Sequence, residues 1–219
     1  MLALSVDCVI FRFDENKLKV LLIHSDIRKY RGKWSLPGDH VKQDEDPDMA
    51  AARVIKQRTG LSDVYLEQVK TFGSLDRHNP GREVTVAYSA LTNINHPKLK
   101  LPPKEQQWQP IGSMLDMAFG HQQILETAYC WLQRRVLEHP LGLSLLPNKF
   151  SLRELQNLYE AILELKFDRR NFRKKFFAMD FLVDVQEIEQ HVSHRPGKLY
   201  KFDYEKYGKK KKKWTGIDF

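Results

Sequence analysis

Apolar and polar positions change rhythm several times along the chain, and each change marks an element. Val6-Asp7-Cys8-Val9-Ile10-Phe11-Arg12-Phe13 and Leu18-Lys19-Val20-Leu21-Leu22-Ile23 are dense in β-branched and aromatic residues and predict strands, with Asp14-Glu15-Asn16 as the turn between them. Trp34-Ser35-Leu36-Pro37-Gly38 then leads into a loop. Residues 48–59 read as a helix with Met49, Ala52, Val54 and Ile55 available to a core, and Gly60 stands where a helix C-cap is expected. Strands are expected over 65–72 and 84–91, separated by the polar turn His78-Asn79-Pro80-Gly81-Arg82. Leu101-Pro102-Pro103 breaks the chain before a short strand over 108–111. From 121 to 137, Ile124, Leu125, Ala128, Trp131, Leu132 and Val136 recur at three- and four-residue steps, the signature of an amphipathic helix.

Beyond this helix the texture changes. His139-Pro140-Leu141-Gly142 stops it, and residues 140–149 read as a linker. Ser151-Leu152-Arg153-Glu154 fits a capping box opening a helix to about residue 163, with Leu152, Leu155, Leu158, Tyr159 and Ile162 on one face. Asp168 can cap a second helix over 169–179 whose apolar face is Phe172, Phe176 and Met179. Strands over 181–185 and 198–202 follow, joined by a polar segment ending in Arg195-Pro196-Gly197. Helix, turn, cationic helix and hairpin is the order of a winged helix-turn-helix. The fold expected is therefore α+β: a layered domain over 1–139, a winged helix-turn-helix over 140–208 and a basic, disordered tail over 209–219.

Composition sharpens the second half more than the first. The 219 residues carry a net charge of +8. Residues 151–219 hold 16 Lys or Arg against 11 Asp or Glu, so +5 of that excess lies in the C-terminal third. A basic balance favours a polyanionic partner. No apolar run reaches the ~20 residues of a membrane-spanning helix, and Met1-Leu2-Ala3-Leu4-Ser5 has no basic leader or small-residue cleavage site, so a cytoplasmic protein is expected. The two cysteines, Cys8 and Cys130, have no metal-site spacing and read as buried thiols of a reducing compartment.

Two motifs carry chemistry. The first runs from Leu36-Pro37-Gly38-Asp39-His40-Val41-Lys42-Gln43-Asp44-Glu45 to Arg53-Val54-Ile55-Lys56-Gln57-Arg58-Thr59-Gly60-Leu61. It resembles the Nudix box: a glycine, a glutamate, then Arg-Glu-hydrophobic-x-Glu-Glu-x-Gly-hydrophobic. In register, Gly60-Leu61 take the final pair, Arg53 the arginine and Glu45 the first glutamate, while the opening glycine falls on Asp39. The resemblance spans about residues 5–115 and implies an α/β/α sandwich. It also implies that the three later glutamates hold divalent ions against a substrate diphosphate. Here those positions are Val54, Gln57 and Arg58. Arg58 would set a positive charge against the cation at a cost on the order of 4 kcal/mol at an effective dielectric near 20. No metal, no cofactor and no hydrolysis are therefore expected. Glu45 and Arg53 can tie the box loop to its helix instead. Trp34, Asp39, His40, Glu45, Arg58, Asp76, Arg77 and Arg82 remain candidates for contacting a small effector.

The second motif is the helix beginning at Arg169. Arginine can bond guanine edges and asparagine adenine, while further cations neutralise phosphates. Arg169, Arg170, Asn171, Arg173 and Lys174 fall in the first turns of this helix, where a recognition helix meets bases, and Arg195 and Lys198 flank the wing turn.

Together the motifs resemble the Nudix-related transcriptional regulators of the NrtR and AraR type. The similarity extends through Leu146-Pro147-Asn148-Lys149-Phe150-Ser151-Leu152-Arg153-Glu154, Asp168-Arg169-Arg170-Asn171-Phe172-Arg173-Lys174-Lys175 and Leu199-Tyr200-Lys201-Phe202. It implies a homodimeric repressor that binds palindromic double-stranded operator DNA and senses an effector, a sugar such as arabinose or ADP-ribose, in sugar or NAD-related metabolism. The missing glutamates lean towards the sugar-responsive branch. Two other readings stand beside it: a hydrolase of a nucleoside diphosphate derivative such as ADP-ribose, and a binding module whose lysine run, residues 209–213, meets RNA or a membrane surface.

Overall fold

The structure is a computed structural model and describes residues 2–25, 28–62, 64–74, 82–93, 106–113, 116–190, 192–193 and 195–210. Its centre is a mixed sheet. Strands β1 (Ala3–Asp14), β2 (Lys17–His24), β3 (Trp34–Ser35), β4 (Gly38–His40), β5 (Tyr65–Phe72), β6 (Glu83–Thr92) and β7 (Gln106–Pro110) form it. The path is β3-β2-β1-β6-β5, with β4 on β1 and β7 on β2. β1 and β6 run parallel, in register from Ala3 opposite Glu83 to Arg12 opposite Thr92.

Helix α1 (Pro47–Thr59) covers one face of this sheet and α2 (His121–Glu138) the other. β1 is consequently buried on both faces, and its alternation sorts the side chains between them. Val6, Cys8 and Ile10 meet Ala50, Ala51, Val54 and Ile55 of α1. Val9, Phe11 and Phe13 join Ile124, Ala128, Leu132 and Val136 of α2. The β1–β2 turn places Glu15 and Asn16 at φ 51° and 57°, the two left-handed residues that suit a twisted hairpin.

Caps set the limits of α1. Asp46 accepts a 2.8 Å hydrogen bond from Met49 N, Pro47 opens the first turn, and Gly60 at φ 77° closes the last by donating to Lys56 O. Two of the side chains expected in the core of this helix are outside it. Met49 is 55% exposed and Ala52 is exposed, because the sheet takes the stripe of Ala50, Ala51, Val54 and Ile55. Cys130 is exposed as well, one position off the buried stripe of α2. Cys8 is buried as expected, and burial pushes its thiol pKa well up.

The C-terminal part holds β8 (Phe150–Ser151), α3 (Leu152–Leu163), α4 (Arg169–Ala178), the wing strands β9 (Leu182–Ile188) and β10 (Lys198–Phe202), and α5 (Tyr204–Lys210). A second sheet runs β8-β10-β9. The capping box at Ser151 is complete, with Glu154 reaching back to Ser151 N at 2.7 Å. Asp168 caps α4 through Asn171 N at 2.9 Å. β9 runs further than expected: Gln186 adopts φ 58° and lets the strand continue through its exposed polar residues. The pattern gave no warning of α5. Asp203 accepts from Lys206 N, and Tyr207 packs against Phe181 and Phe202.

The segment read as a linker is not an extended tether. Residues Pro140–Leu145 coil into a short 3-10 helix, and Pro140, Gly142, Leu143, Leu145 and Leu146 are buried. One apolar cluster runs from β1 and α2 through Leu143 and Leu145 into α3 and α4. Tyr129 Oη and Gln133 Nε2 of α2 each donate to Ile162 O of α3 at 2.9 Å, and Asn157 of α3 meets Asn16 in the β1–β2 turn at 2.8 Å. Among the described residues, no helix is long and apolar enough to cross a membrane.

Candidate functional site

The arginine of the box is consumed by its own loop. Arg53 Nε donates to Glu45 Oε2 at 3.0 Å, Nη1 to Asp39 Oδ2 at 2.6 Å and Nη2 to His40 O at 3.1 Å; Nη2 also bonds Glu45 Oε1. Lys42 N adds a further bond to Glu45. Arg53 and then the Lys42 amide hold the Glu45 carboxyl down at about 2. Desolvation alone would raise Asp39, but Arg53 and the His40 amide outweigh it and leave its pKa lowered. These carboxylates raise the Arg53 pKa in return, Glu45 most. Glu45 and Arg53 thus form the loop-to-helix tie.

Beside this tie, a cleft of about 290 Å³ opens where β1, β4 and β6 meet the N-terminus of α2. Asp39, His40 and Arg58 line it, as the box suggested. Ser5, Asp7, Glu83, Thr85 and His121 line it too, and none of them was among the residues expected there. His121 Nδ1 accepts from Leu36 N at 2.9 Å, so the ring proton sits on Nε2, 3.2 Å from Asp7 Oδ2. Both side chains are less than a tenth exposed. Gly38 permits this approach, since a Cβ there would lie 2.2 Å from Asp7 Oδ1. Ser5 and Thr85 share a 2.9 Å hydroxyl bond, and His40 Nδ1 lies 3.6 Å from Glu83.

The other candidates stand apart from the lining. Trp34 stacks on His24, itself a lining residue, with ring centroids 3.8 Å apart. Glu45 serves the Arg53 tie, and Arg82 is exposed beside the start of β1, its carbonyl accepting from Ala3 N. Asp76 and Arg77 lie outside the described residues, as do residues 211–219 of the tail.

The residues do not fit a divalent ion. Val54 is 2% exposed and packs in the core with Val6 and Cys8, Gln57 is exposed, and Arg58 brings a cation. Among the described residues no cluster of three or more His, Cys, Asp and Glu could hold a metal.

The second candidate surface lies on α4 and the wing. Phe172 and Phe176 bury one face of α4 against Tyr159, at ring separations of 6.0 and 5.2 Å. That packing turns Arg169, Arg170, Asn171, Arg173 and Lys174 outward, and all five are exposed. Arg169, Arg170, Arg173 and Lys174 form no ion pair among the described residues. Arg169 and Arg173 line a groove of about 510 Å³ together with Arg195 and Lys198 of the wing and Arg153 of α3. Glu189 sets the wing's position. It is 8% exposed, accepts from Arg153 Nη2 at 2.8 Å and from Gly197 N at 2.7 Å, and its own N–H donates to Gly197 O. Lys198 also pairs with Asp184 at 2.8 Å.

A NUDIX sandwich fused to a winged helix whose second helix, α4, is cationic defines a class, the transcriptional regulators built on a NUDIX scaffold. The NUDIX domain family model matches residues 1–140, and that of the NrtR DNA-binding winged helix domain matches 142–202. The chain is 32% identical over 209 residues to the ADPR responsive transcriptional repressor NtrR of Acinetobacter baylyi, covering 93% of this chain and 83% of the relative. Its structure is similar to that of Shewanella oneidensis NrtR complexed with a 27mer DNA, with a TM-score of 0.82 at 29% identity, over 91% of this chain and 93% of the other. It is also similar to the NUDIX domain of that protein complexed with ADP ribose, with a TM-score of 0.53 at 29% identity over 60% of this chain and 89% of the domain. The chain belongs to the NrtR family of NUDIX-domain transcriptional regulators.

Proposed function

We propose that this protein is an ADP-ribose-responsive repressor. In this reading α4 enters the major groove of operator DNA, and Arg169, Arg170, Asn171, Arg173 and Lys174 contact bases and phosphates. Arg195 and Lys198 of the wing reach the backbone. The observation that carries the reading is the row of Arg169, Arg170, Arg173 and Lys174, without an ion pair among the described residues, beside a wing pinned by Glu189. The likeness to the DNA-bound Shewanella structure supports it.

The cleft lined by Asp39, His40 and Arg58 is the effector site in this reading. The likeness to the ADP-ribose-bound NUDIX domain favours ADP-ribose over arabinose as the effector. The replaced carboxylates at Val54, Gln57 and Arg58 favour sensing without hydrolysis. The protein works in the cytoplasm as a homodimer on a palindromic operator, since a two-fold protein matches a two-fold site. Its working units are the sandwich with α2, residues 1–139, the winged helix, residues 140–208, and the basic tail.

The effector acts by binding one conformation of the dimer better than the other. α2 is placed to carry that coupling: His121 at its start lines the cleft, and Tyr129 and Gln133 further along bond α3. A mobility-shift assay with DNA upstream of the protein's own gene and its neighbours tests the reading. A specific complex should form and should respond to ADP-ribose but not to arabinose. Magnesium-dependent turnover of ADP-ribose with no specific DNA complex would replace it with the hydrolase.

A further inference from the structure

The box helix carries two arginines that the cleft treats differently. Arg53 is surrounded by Glu45, Asp39 and the His40 carbonyl. Arg58, partly buried, lines the cleft and makes no hydrogen bond or ion pair among the described residues. The acids around it already have partners. Asp7 faces His121 at 3.2 Å, Asp39 faces Arg53 at 2.6 Å, and Glu83 faces His40 at 3.6 Å. A guanidinium that lines the cleft with its donors unused by the described residues, while the neighbouring acids are engaged elsewhere, points to an anionic ligand.

The position of Arg58 gives that anion a chemistry. It occupies one of the box positions where the hydrolases of this scaffold place metal-binding carboxylates, and Val54 and Gln57 at the other two cannot supply them. We propose that Arg58 replaces the divalent ion: its guanidinium grips the diphosphate of the effector directly, and effector binding needs no metal. The proposal rests on the cleft being the effector site.

One substitution then accounts for both binding and the absence of turnover. A guanidinium donates paired, charge-assisted N–H bonds to phosphate oxygens in a fixed plane. Unlike a divalent ion, it does not bring a bound water towards ionisation at neutral pH. The diphosphate is held, and no nucleophile is generated beside it.

The test is calorimetric titration of the full-length protein with ADP-ribose, once in excess EDTA and once in magnesium. Wild type should bind equally well in both. Arg58→Gln should weaken ADP-ribose by about 10- to 100-fold, the loss expected for hydrogen bonds to a charged group, while its melting temperature stays near that of wild type. Arg58→Lys, which keeps the charge but not the fork, should recover part of the loss. AMP, which lacks the diphosphate, should be far less sensitive to Arg58→Gln. Wild-type binding that requires magnesium, or full affinity in a folded Arg58→Gln protein, would overturn the role of Arg58 and leave the cleft as the effector site. No ADP-ribose binding by wild type in either buffer would overturn the effector reading itself.

Discussion

The arginines of α1 and α4 have the same chemistry and opposite surroundings. Arg53 sits at the centre of a local ring of acceptors, and its charge is spent on holding the box loop to its helix. Arg169 and Arg173 stand on a helix with no acidic residue in its ten positions, facing a groove whose other cations come from the wing and from Arg153 of α3. A charge neutralised by its own fold builds structure. A charge without a partner among the described residues, repeated along one helix face, is available to a partner that brings the opposite sign. Arg58 is the instructive exception, a cation in the sandwich that has no hydrogen bond or ion pair among the described residues.

The comparison can be broken most severely from beneath α4. Phe172 is 1% exposed and lies against Phe176 with ring centroids 4.5 Å apart. Phe172→Ala should cost about 3–5 kcal/mol in chemical denaturation. The apolar cluster is continuous from α4 to α2, so the loss should appear in one shared transition rather than a separate melting of the winged helix. Two resolved transitions would mean that the halves fold independently.

A milder break is Glu189→Ala. It leaves Arg153 and Gly197 N without their acceptor and should cost about 1–3 kcal/mol. DNA affinity should fall too, by less than when α4 cations are removed, because the wing loosens while α4 stays intact. Retained affinity in that variant would mean that the wing contributes little.

The smallest effect is a pH dependence confined to the sandwich. The Glu45 carboxyl is held at about 2, below the ordinary glutamate value, so its pairing stabilises the fold above about pH 4.5 and is lost as pH falls towards 2. Asp39 shifts in the same direction and adds to the loss. Arg53→Gln should flatten this part of the acid limb in thermal melts. An unchanged acid limb would show that the tie does not matter to stability.

How much of this was legible in the sequence depended on distance along the chain. The stripe of α2, the capping box at Ser151 and the cationic face of α4 are local patterns, and each appears where the pattern put it. Met49 and Ala52 misled because helical spacing shows that a face is apolar but not which edge the sheet will take. The cleft was half visible. Asp39, His40 and Arg58 belong to a motif, whereas Asp7, Glu83, Thr85 and His121 come from β1, β6 and α2 and meet only through the parallel pairing of β1 with β6 and the packing of α2. Asp7, a charged residue inside an apolar-rich strand, was the one local signal, and the pattern alone did not tie it to the cleft. α5 depends on Tyr207 packing against Phe181 and Phe202, a tertiary contact that propensity cannot show.

The most direct test sets the two regions against each other in one experiment, an anisotropy titration of labelled operator DNA without effector. Replacing Arg169 and Arg173 together by alanine should weaken binding by about 10-fold or more for each arginine, with the melting temperature preserved. Arg58→Gln should bind the same DNA as wild type does. Full affinity in the α4 double variant, or an equal loss in Arg58→Gln, would contradict the division of labour between the two helices.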